Sequence, residues 1–320
     1  MSKATERSAP LARQADDFAV SVLEGLSGPR KSLPCRFFYD ATGSALFEEI
    51  TRQPEYYPTK IEVAILQANA KQMLDGEGEE TVLVEFGSGS SIKTEILLQD
   101  MPRLHAYAPI DISQSALLDA QARLAERFSG LNIRLLPADF SYPIDLPADL
   151  AARPKLGFFP GSTIGNFRPA EATQLLAAMR RTLSPRGRLI IGVDLKKDAR
   201  RLVEAYDDAN GVTAKFNLNL LVRINRELAG TFDLRTFRHA AVYDPFEGRV
   251  EMHLVSALDQ EVWVCGRKFR FHAAETIHTE SAYKYTIEEF RLVADGAGWT
   301  PRRVWTDSQS LFSVHELAAP

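Results

Sequence analysis

Between residues 81 and 193 the chain repeats one pattern: a short apolar run, a helix-like stretch, then another run. The runs are Thr81–Phe86, Ala106–Ile112, Asn132–Leu136, Leu156–Phe159 and Arg188–Val193. Helical periodicity follows at Ser91–Met101, Ser113–Phe128 and Glu171–Leu183. Apolar runs this short suit strands covered on both faces, and the intervening helices supply the cover. The pattern predicts βαβ units around a buried parallel sheet, an α/β fold of Rossmann-like type.

Outside that stretch the texture changes. An amphipathic helix is expected near Asp17–Leu26, then an aromatic-rich segment, Lys31–Pro58, broken by Gly43 and Pro54. A helical pattern runs from Lys60 to about Leu74. Beyond Asp194, two helices are expected at Ala199–Asn210 and Val212–Arg226. Alternating segments between Phe232 and Ser281 then suggest an antiparallel meander. Thr286–Gly298 reads as a last helix and Arg303–Val314 as closing strands. The expected organisation is a Rossmann-like domain at 60–196, with 10–59 and 197–320 forming a second, discontinuous α+β domain that carries the antiparallel sheet.

Charge removes several classes of function. Lys and Arg number 38 against 42 Asp and Glu, a net charge of −4, so there is no basic footprint for nucleic acid or anionic lipid. No apolar run approaches the ~20 residues of a membrane span. The N-terminus, Met1-Ser2-Lys3-Ala4-Thr5-Glu6-Arg7, is polar and does not read as a signal peptide. Cys35 and Cys265 form no metal or disulfide spacing, which suits a reducing compartment. The six histidines include no metal-ligand pair at helical spacing, so no metal is expected. The expectation is a cytoplasmic monomer acting on a small molecule, with neither nucleic acid nor membrane as partner.

The first strand ends in Glu85-Phe86-Gly87-Ser88-Gly89-Ser90, with a helix to follow. Glycines there let backbone approach a ligand, and the helix start points amide donors at it. Asp111 ends the next strand, where an acid can take both ribose hydroxyls. Asp139-Phe140 follows the third. The dinucleotide fingerprint fails because Ile92 occupies its third glycine position. Together Gly87, Ser88, Gly89, Asp111, Asp139 and Phe140 resemble the S-adenosylmethionine (SAM) site of class I methyltransferases. Lys93, in the first helical turn, is placed to reach the SAM carboxylate. NAD binding and a ligand-free turn are the competing readings.

Longer strings narrow the choice. They are Phe37-Phe38-Tyr39-Asp40-Ala41-Thr42-Gly43-Ser44, Pro54-Glu55-Tyr56-Tyr57-Pro58-Thr59, Gly161-Ser162-Thr163-Ile164-Gly165-Asn166 and Ala205-Tyr206-Asp207-Asp208. Thr213-Ala214-Lys215-Phe216-Asn217 and Arg223-Ile224-Asn225-Arg226-Glu227-Leu228 extend them. Across about residues 17–316 the chain resembles the histidine Nα-methyltransferases of the ergothioneine pathway, which convert histidine to its trimethylbetaine, hercynine. The resemblance implies SAM as methyl donor, S-adenosylhomocysteine (SAH) as product and no metal. It implies SAM contacts at Gly87, Lys93, Asp111 and Asp139-Phe140. It implies that Tyr56, Asn166 and Tyr206 hold the amino-acid head group, that Glu280 takes the imidazole, and that Met252, Phe216 and Tyr39 line the same pocket. Tyr39, Tyr56 or a water would relay the amine proton, and Tyr39 or Phe47 would face the methylated cation.

One position departs from the family. A serine whose hydroxyl meets the imidazole is expected two residues after the glutamate, and Ala282 stands there. Ser281 is adjacent, but successive strand side chains face opposite sides, so it could substitute only where the strand bulges or the backbone is irregular. Loss of one such hydrogen bond costs about 0.5–1.5 kcal/mol. An N-methyltransferase for another amino acid or small amine is therefore the alternative, and a SAM-binding regulator without turnover is the third reading.

Overall fold

The computed structural model describes residues 9–87 and 92–319. The chain divides into two compact units, each discontinuous in sequence. The first runs through Tyr56 and resumes at Asp198–Ala282; the second comprises Tyr57–Lys197 and Tyr283 onward. The chain thus passes between units at 56/57, 197/198 and 282/283.

The second unit holds a seven-stranded sheet. Its strands are β1 (Val82–Phe86), β2 (Ala106–Asp111), β3 (Leu136–Pro137), β4 (Lys155–Phe159), β5 (Arg188–Asp194), β6 (Thr300–Thr306) and β7 (Phe312–Ala318). Their order is β6-β7-β5-β4-β1-β2-β3. Strands β1 to β5 run parallel to one another, and β7 runs antiparallel between β5 and β6. Alternation along β1 explains the two-sided cover. Val82, Val84 and Phe86 pack with Leu176 and Met179 of the helix Pro169–Leu183 and with Phe290. Leu83 packs on the other face with Ile65 and Leu66 of the helix Tyr57–Met73 and with Leu97 of the helix Ile92–Gln99. Each fully buried aliphatic side chain contributes roughly 1.5–3 kcal/mol.

This is the parallel α/β core expected from the repeating runs, with two differences. The third strand is short and late: Ile133 makes only an isolated bridge to Tyr107, and regular pairing begins at Leu136. The closing strands belong with this sheet rather than with a flanking domain spanning 197–320. β7 pairs with β5 along its whole length, from Phe312↔Asp194 to Ala318↔Arg188.

The first unit contains the helices Ala9–Ser27, Ala41–Ile50, Ala199–Glu204 and Val212–Glu227. Asp40 caps the second of these, accepting from the Gly43 amide at 2.8 Å. A four-stranded sheet is ordered Lys31–Ser32, Thr276–Tyr283, Arg249–Ser256, Phe237–Asp244. The last two pair antiparallel, but Lys31–Ser32 runs parallel to Thr276–Tyr283. The predicted meander is interrupted further, because Gln260–Val264 and Arg267–Phe271 pair only with each other. Among the described residues no helix is long and apolar enough to cross a membrane.

Candidate active site

Within the second unit, the predicted donor-site residues Gly87, Asp111 and Asp139-Phe140 follow the carboxyl ends of the adjacent parallel strands β1, β2 and β3. That edge of such a sheet is where ligands bind, beside the point at which strand order reverses. Gly87 follows β1 with φ +79°, a conformation that favours glycine, and an added Cβ would touch the Phe140 ring at 3.7 Å. The Gly87 amide donates to Ile110 O at 2.8 Å, closing β1 against β2. Asp111 ends β2 and accepts from the Ser113 amide at 2.8 Å. Asp139 is exposed and accepts from the Ser141 amide at 2.9 Å. Phe140 stands edge-on to Phe159, 5.7 Å between centroids, and to Phe86 at 6.3 Å. Ser88 and Gly89 lie outside the described residues.

Two acids behind this edge are not among the site residues expected from the sequence. Glu85, the acid of the glycine-loop string, is buried. It accepts from Thr94 Oγ1 at 2.8 Å and, through a very short bond, from the Tyr107 hydroxyl. Burial pushes its carboxyl up to about 8, against the lowering effect of those two bonds and of the Lys93 ammonium. The second acid is Glu62, on the helix Tyr57–Met73 and 1% exposed. Its Oε2 lies 2.5 Å from Lys93 Nζ, and both its oxygens accept from the Gly161 amide, at 3.0 and 2.9 Å. Lys93, expected to serve the SAM carboxylate, is thus already ion-paired within the protein.

The loop after β4 continues this network. Gly161 has φ +84° and Ser162 φ +56°, and the Ser162 hydroxyl accepts from the Asp194 amide at 2.9 Å. The turn Thr163–Asn166 presents Asn166, half-buried. Gly165 is required there, because a Cβ would meet Tyr283 O at 2.7 Å. Asp194, at the end of β5, is fully buried among three polar partners. Tyr57 Oη donates to it at 2.8 Å, Lys197 Nζ at 2.6 Å and Lys284 Nζ at 2.8 Å. Burial alone would raise the Asp194 carboxyl, but the Lys284 and Lys197 ammonium groups outweigh it and hold it below the usual range.

The first unit collects the predicted pocket aromatics. Tyr39 lies 5.7 Å from Phe47 and 5.8 Å from Phe216, both edge-on. Phe47 lies 6.2 Å from Tyr56, and Tyr56 lies 6.4 Å from Tyr206. Tyr39 is 43% exposed. Its hydroxyl is pushed well above the usual range by burial and then by the Glu280 carboxylate. Burial and Glu280 also push the Cys35 thiol up to about 12. Glu280 therefore shares the surroundings of Tyr39 and of Cys35, a neighbour that the sequence does not signal.

His239 holds Tyr206 in place. Its Nε2 donates to Tyr206 O at 2.8 Å while Nδ1 accepts from Asn217 Nδ2 at 2.8 Å, an assignment made from the bonding pattern. Met252 is buried, and its carbonyl accepts from Thr279 Oγ1 at 3.0 Å. The Ser281 hydroxyl lies 2.9 Å from His278 Nε2, a bond between positions i and i+3 that a regular strand would not make. Ala282 is 3% exposed and, two positions along the strand, shares the face of Glu280. His253 bonds Glu251 at 2.9 Å and stands edge-on to His278, 5.4 Å between ring centroids, rather than joining Met252. Among the described residues no three His, Cys, Asp or Glu side chains gather as metal ligands would.

These donors suit a nucleoside with an amino-acid tail. The Asp111 carboxylate can accept from ribose hydroxyls, and the Glu62–Lys93 pair adds no net charge that would repel a sulfonium. Comparison with known proteins identifies the family. A family model described as histidine-specific methyltransferase, SAM-dependent, matches residues 18–319. The histidine N-alpha-methyltransferase of Mycolicibacterium smegmatis is 40% identical over 298 residues, 92% of this chain and 92% of that protein. That of Mycobacterium tuberculosis is 39% identical, covering 93% of each. Ergothioneine biosynthesis protein 1 of Neurospora crassa is 29% identical over 93% of this chain and 34% of its own length. A SAM-dependent methyltransferase from Clostridium acetobutylicum shares the fold, with TM-score 0.51 at 11% identity over 85% of this chain and 97% of that one.

Proposed function

The chain belongs to the family of SAM-dependent, histidine-specific methyltransferases, and from that premise we propose that it methylates the α-amino group of L-histidine three times to give hercynine, the first step of ergothioneine biosynthesis. The observation that carries this reading is the family match along residues 18–319. SAM supplies, when bound, a methyl group already activated on a sulfonium. Gly87, Asp111, Asp139 and Phe140 would hold it, with Lys93 toward its carboxylate.

The protein's own task is to present a neutral amine in line. Proximity and orientation supply ~7–11 kcal/mol of such a barrier. Tyr56, Tyr206 and Asn166 hold the zwitterionic head group with hydroxyl and amide groups, which donate and accept without fixed charge. Glu280 takes the imidazole N–H, and Met252 and Phe216 pack on the ring. Freeing the amine of its proton at neutral pH costs ~1–3 kcal/mol. Tyr39 keeps its own proton, since burial and Glu280 oppose the phenolate. It therefore relays rather than abstracts, its Oη accepting the amine proton as it passes its own to solvent water; Tyr56 Oη or a bound water is the alternative relay. The faces of Tyr39, Phe47 and Phe216, within 6.1 Å of one another, suit the trimethylammonium product. The enzyme acts as a cytoplasmic monomer without metal, and its two thiols, Cys35 and Cys265, are both free.

Ala282 and Cys35 beside Glu280 favour a second reading, the same chemistry on another amino acid. A panel of amino acids with SAM, followed by mass spectrometry, separates the two. Histidine should give the highest kcat/KM and a mono-, di- and trimethyl series. A different amino acid ranking first overturns histidine as substrate, and no product from any of them overturns the enzyme reading.

A further inference from the structure

We propose that Glu62 is a positioning residue for the methyl donor, setting the charge of its site by pairing with Lys93. This rests on the reading above, in which Lys93 faces the donor's carboxylate.

The problem is electrostatic. A lysine suits that carboxylate, but SAM also carries a sulfonium and an ammonium and is a net monocation. A bare lysine would attract one end of the molecule and repel the whole. Glu62 answers this from behind. Its carboxylate is 1% exposed and so is sealed from ligand, and it sits 2.5 Å from Lys93 Nζ. The pair is neutral as a unit, while Lys93 stays 16% exposed at its side chain. The Gly161 amide, donating to both Glu62 oxygens, ties the β4 loop to the same carboxylate.

One glycine keeps this niche open. A Cβ on Gly192 of β5 would fall 2.0 Å from Glu62 Oε1. The fold thus leaves a space in the middle of a buried strand that one carboxylate fills.

The test compares binding of SAM and SAH by calorimetry. The two differ by the sulfonium charge and its methyl. Glu62→Gln keeps an acceptor for the Gly161 amide and removes the negative charge. It should shift preference from SAM toward SAH by on the order of tenfold, the effect of one unit charge across ~10 Å at an effective dielectric of ~20. Lys93→Met should shift preference the opposite way. The double variant, neutral again, should return the ratio to near that of the unaltered protein.

A purely structural role would weaken SAM and SAH alike, and that result overturns the proposal. So does a double variant whose ratio stays with either single one. If Glu62→Gln fails to fold, Lys93→Met and the double variant still decide the sign. Should the unaltered protein bind neither ligand, the donor-site reading falls first and this inference with it.

Discussion

Replacing Glu85 by Gln should make the protein more resistant to unfolding in alkali while leaving its acid side little changed. Glu85 is buried at the end of β1, and its carboxyl is raised from 4.5 to about 8. Burial is the main cause; the Tyr107 and Thr94 hydroxyls and the Lys93 ammonium oppose it without prevailing. Between those two values the unfolded chain has lost the proton and the native protein keeps it. The native state then binds more protons, so stability falls as pH rises. This contribution is complete below about 4.5 and gone once pH has passed about 8. At ~1.4 kcal/mol per unit the interval amounts to about 5 kcal/mol at most. Glutamine keeps an oxygen for the Tyr107 and Thr94 hydroxyls and does not titrate. Thermal unfolding of both proteins at matched pH values from about 5 to 9 reads the effect as a difference in Tm, at roughly 2–4 °C per kcal/mol. The difference should move steadily in the variant's favour as pH rises. A difference that stays constant across the series would refute the reasoning.

Two further outcomes are expected. Asp194→Asn leaves the Lys197 and Lys284 ammonium groups buried against a neutral amide, which should cost about 3–5 kcal/mol in denaturant unfolding; a loss under ~1 kcal/mol would mean that water reaches the cluster. Ala282→Ser restores a hydroxyl on the face of Glu280 and should raise kcat/KM for histidine by up to about tenfold, whereas a fall would mean that this pocket is shaped for another side chain.

The parts legible in the sequence are those written in local pattern. β1, β4 and β5 are short apolar runs buried on both faces, so their composition alone announces them. β3 lies several residues from its expected place because an edge strand two residues long has almost no pattern of its own. β7 falls in a different part of the fold from the one expected for another reason. Its alternation shows a strand but not its partner, and that partner, β5, lies more than a hundred positions earlier.

The same distance hides the acids behind the donor edge. Glu62 reads as an ordinary helix residue until Lys93 and Gly161 are brought to it, and Asp194 reads as a strand end until Tyr57 and Lys284 arrive. Gly192 carries a trace of the first, being a glycine inside an otherwise aliphatic strand, where close approach of another group is a standing explanation. Strand alternation is enough to raise the question of Ala282 and Ser281. That the strand departs from strict alternation there shows only in the Ser281–His278 bond.

The position of β7 has a consequence for how the protein is made. Synthesis finishes β5 at residue 194, but the strand that covers its open side is not begun until residue 312. At ~5–20 residues per second a ribosome needs about 6–24 s for that stretch. Throughout that time Leu189, Ile190, Ile191 and Val193 stand on an edge with unpaired backbone, the sort of surface that recruits other nascent chains. A chain halted within this interval would therefore lack the strand that covers that edge.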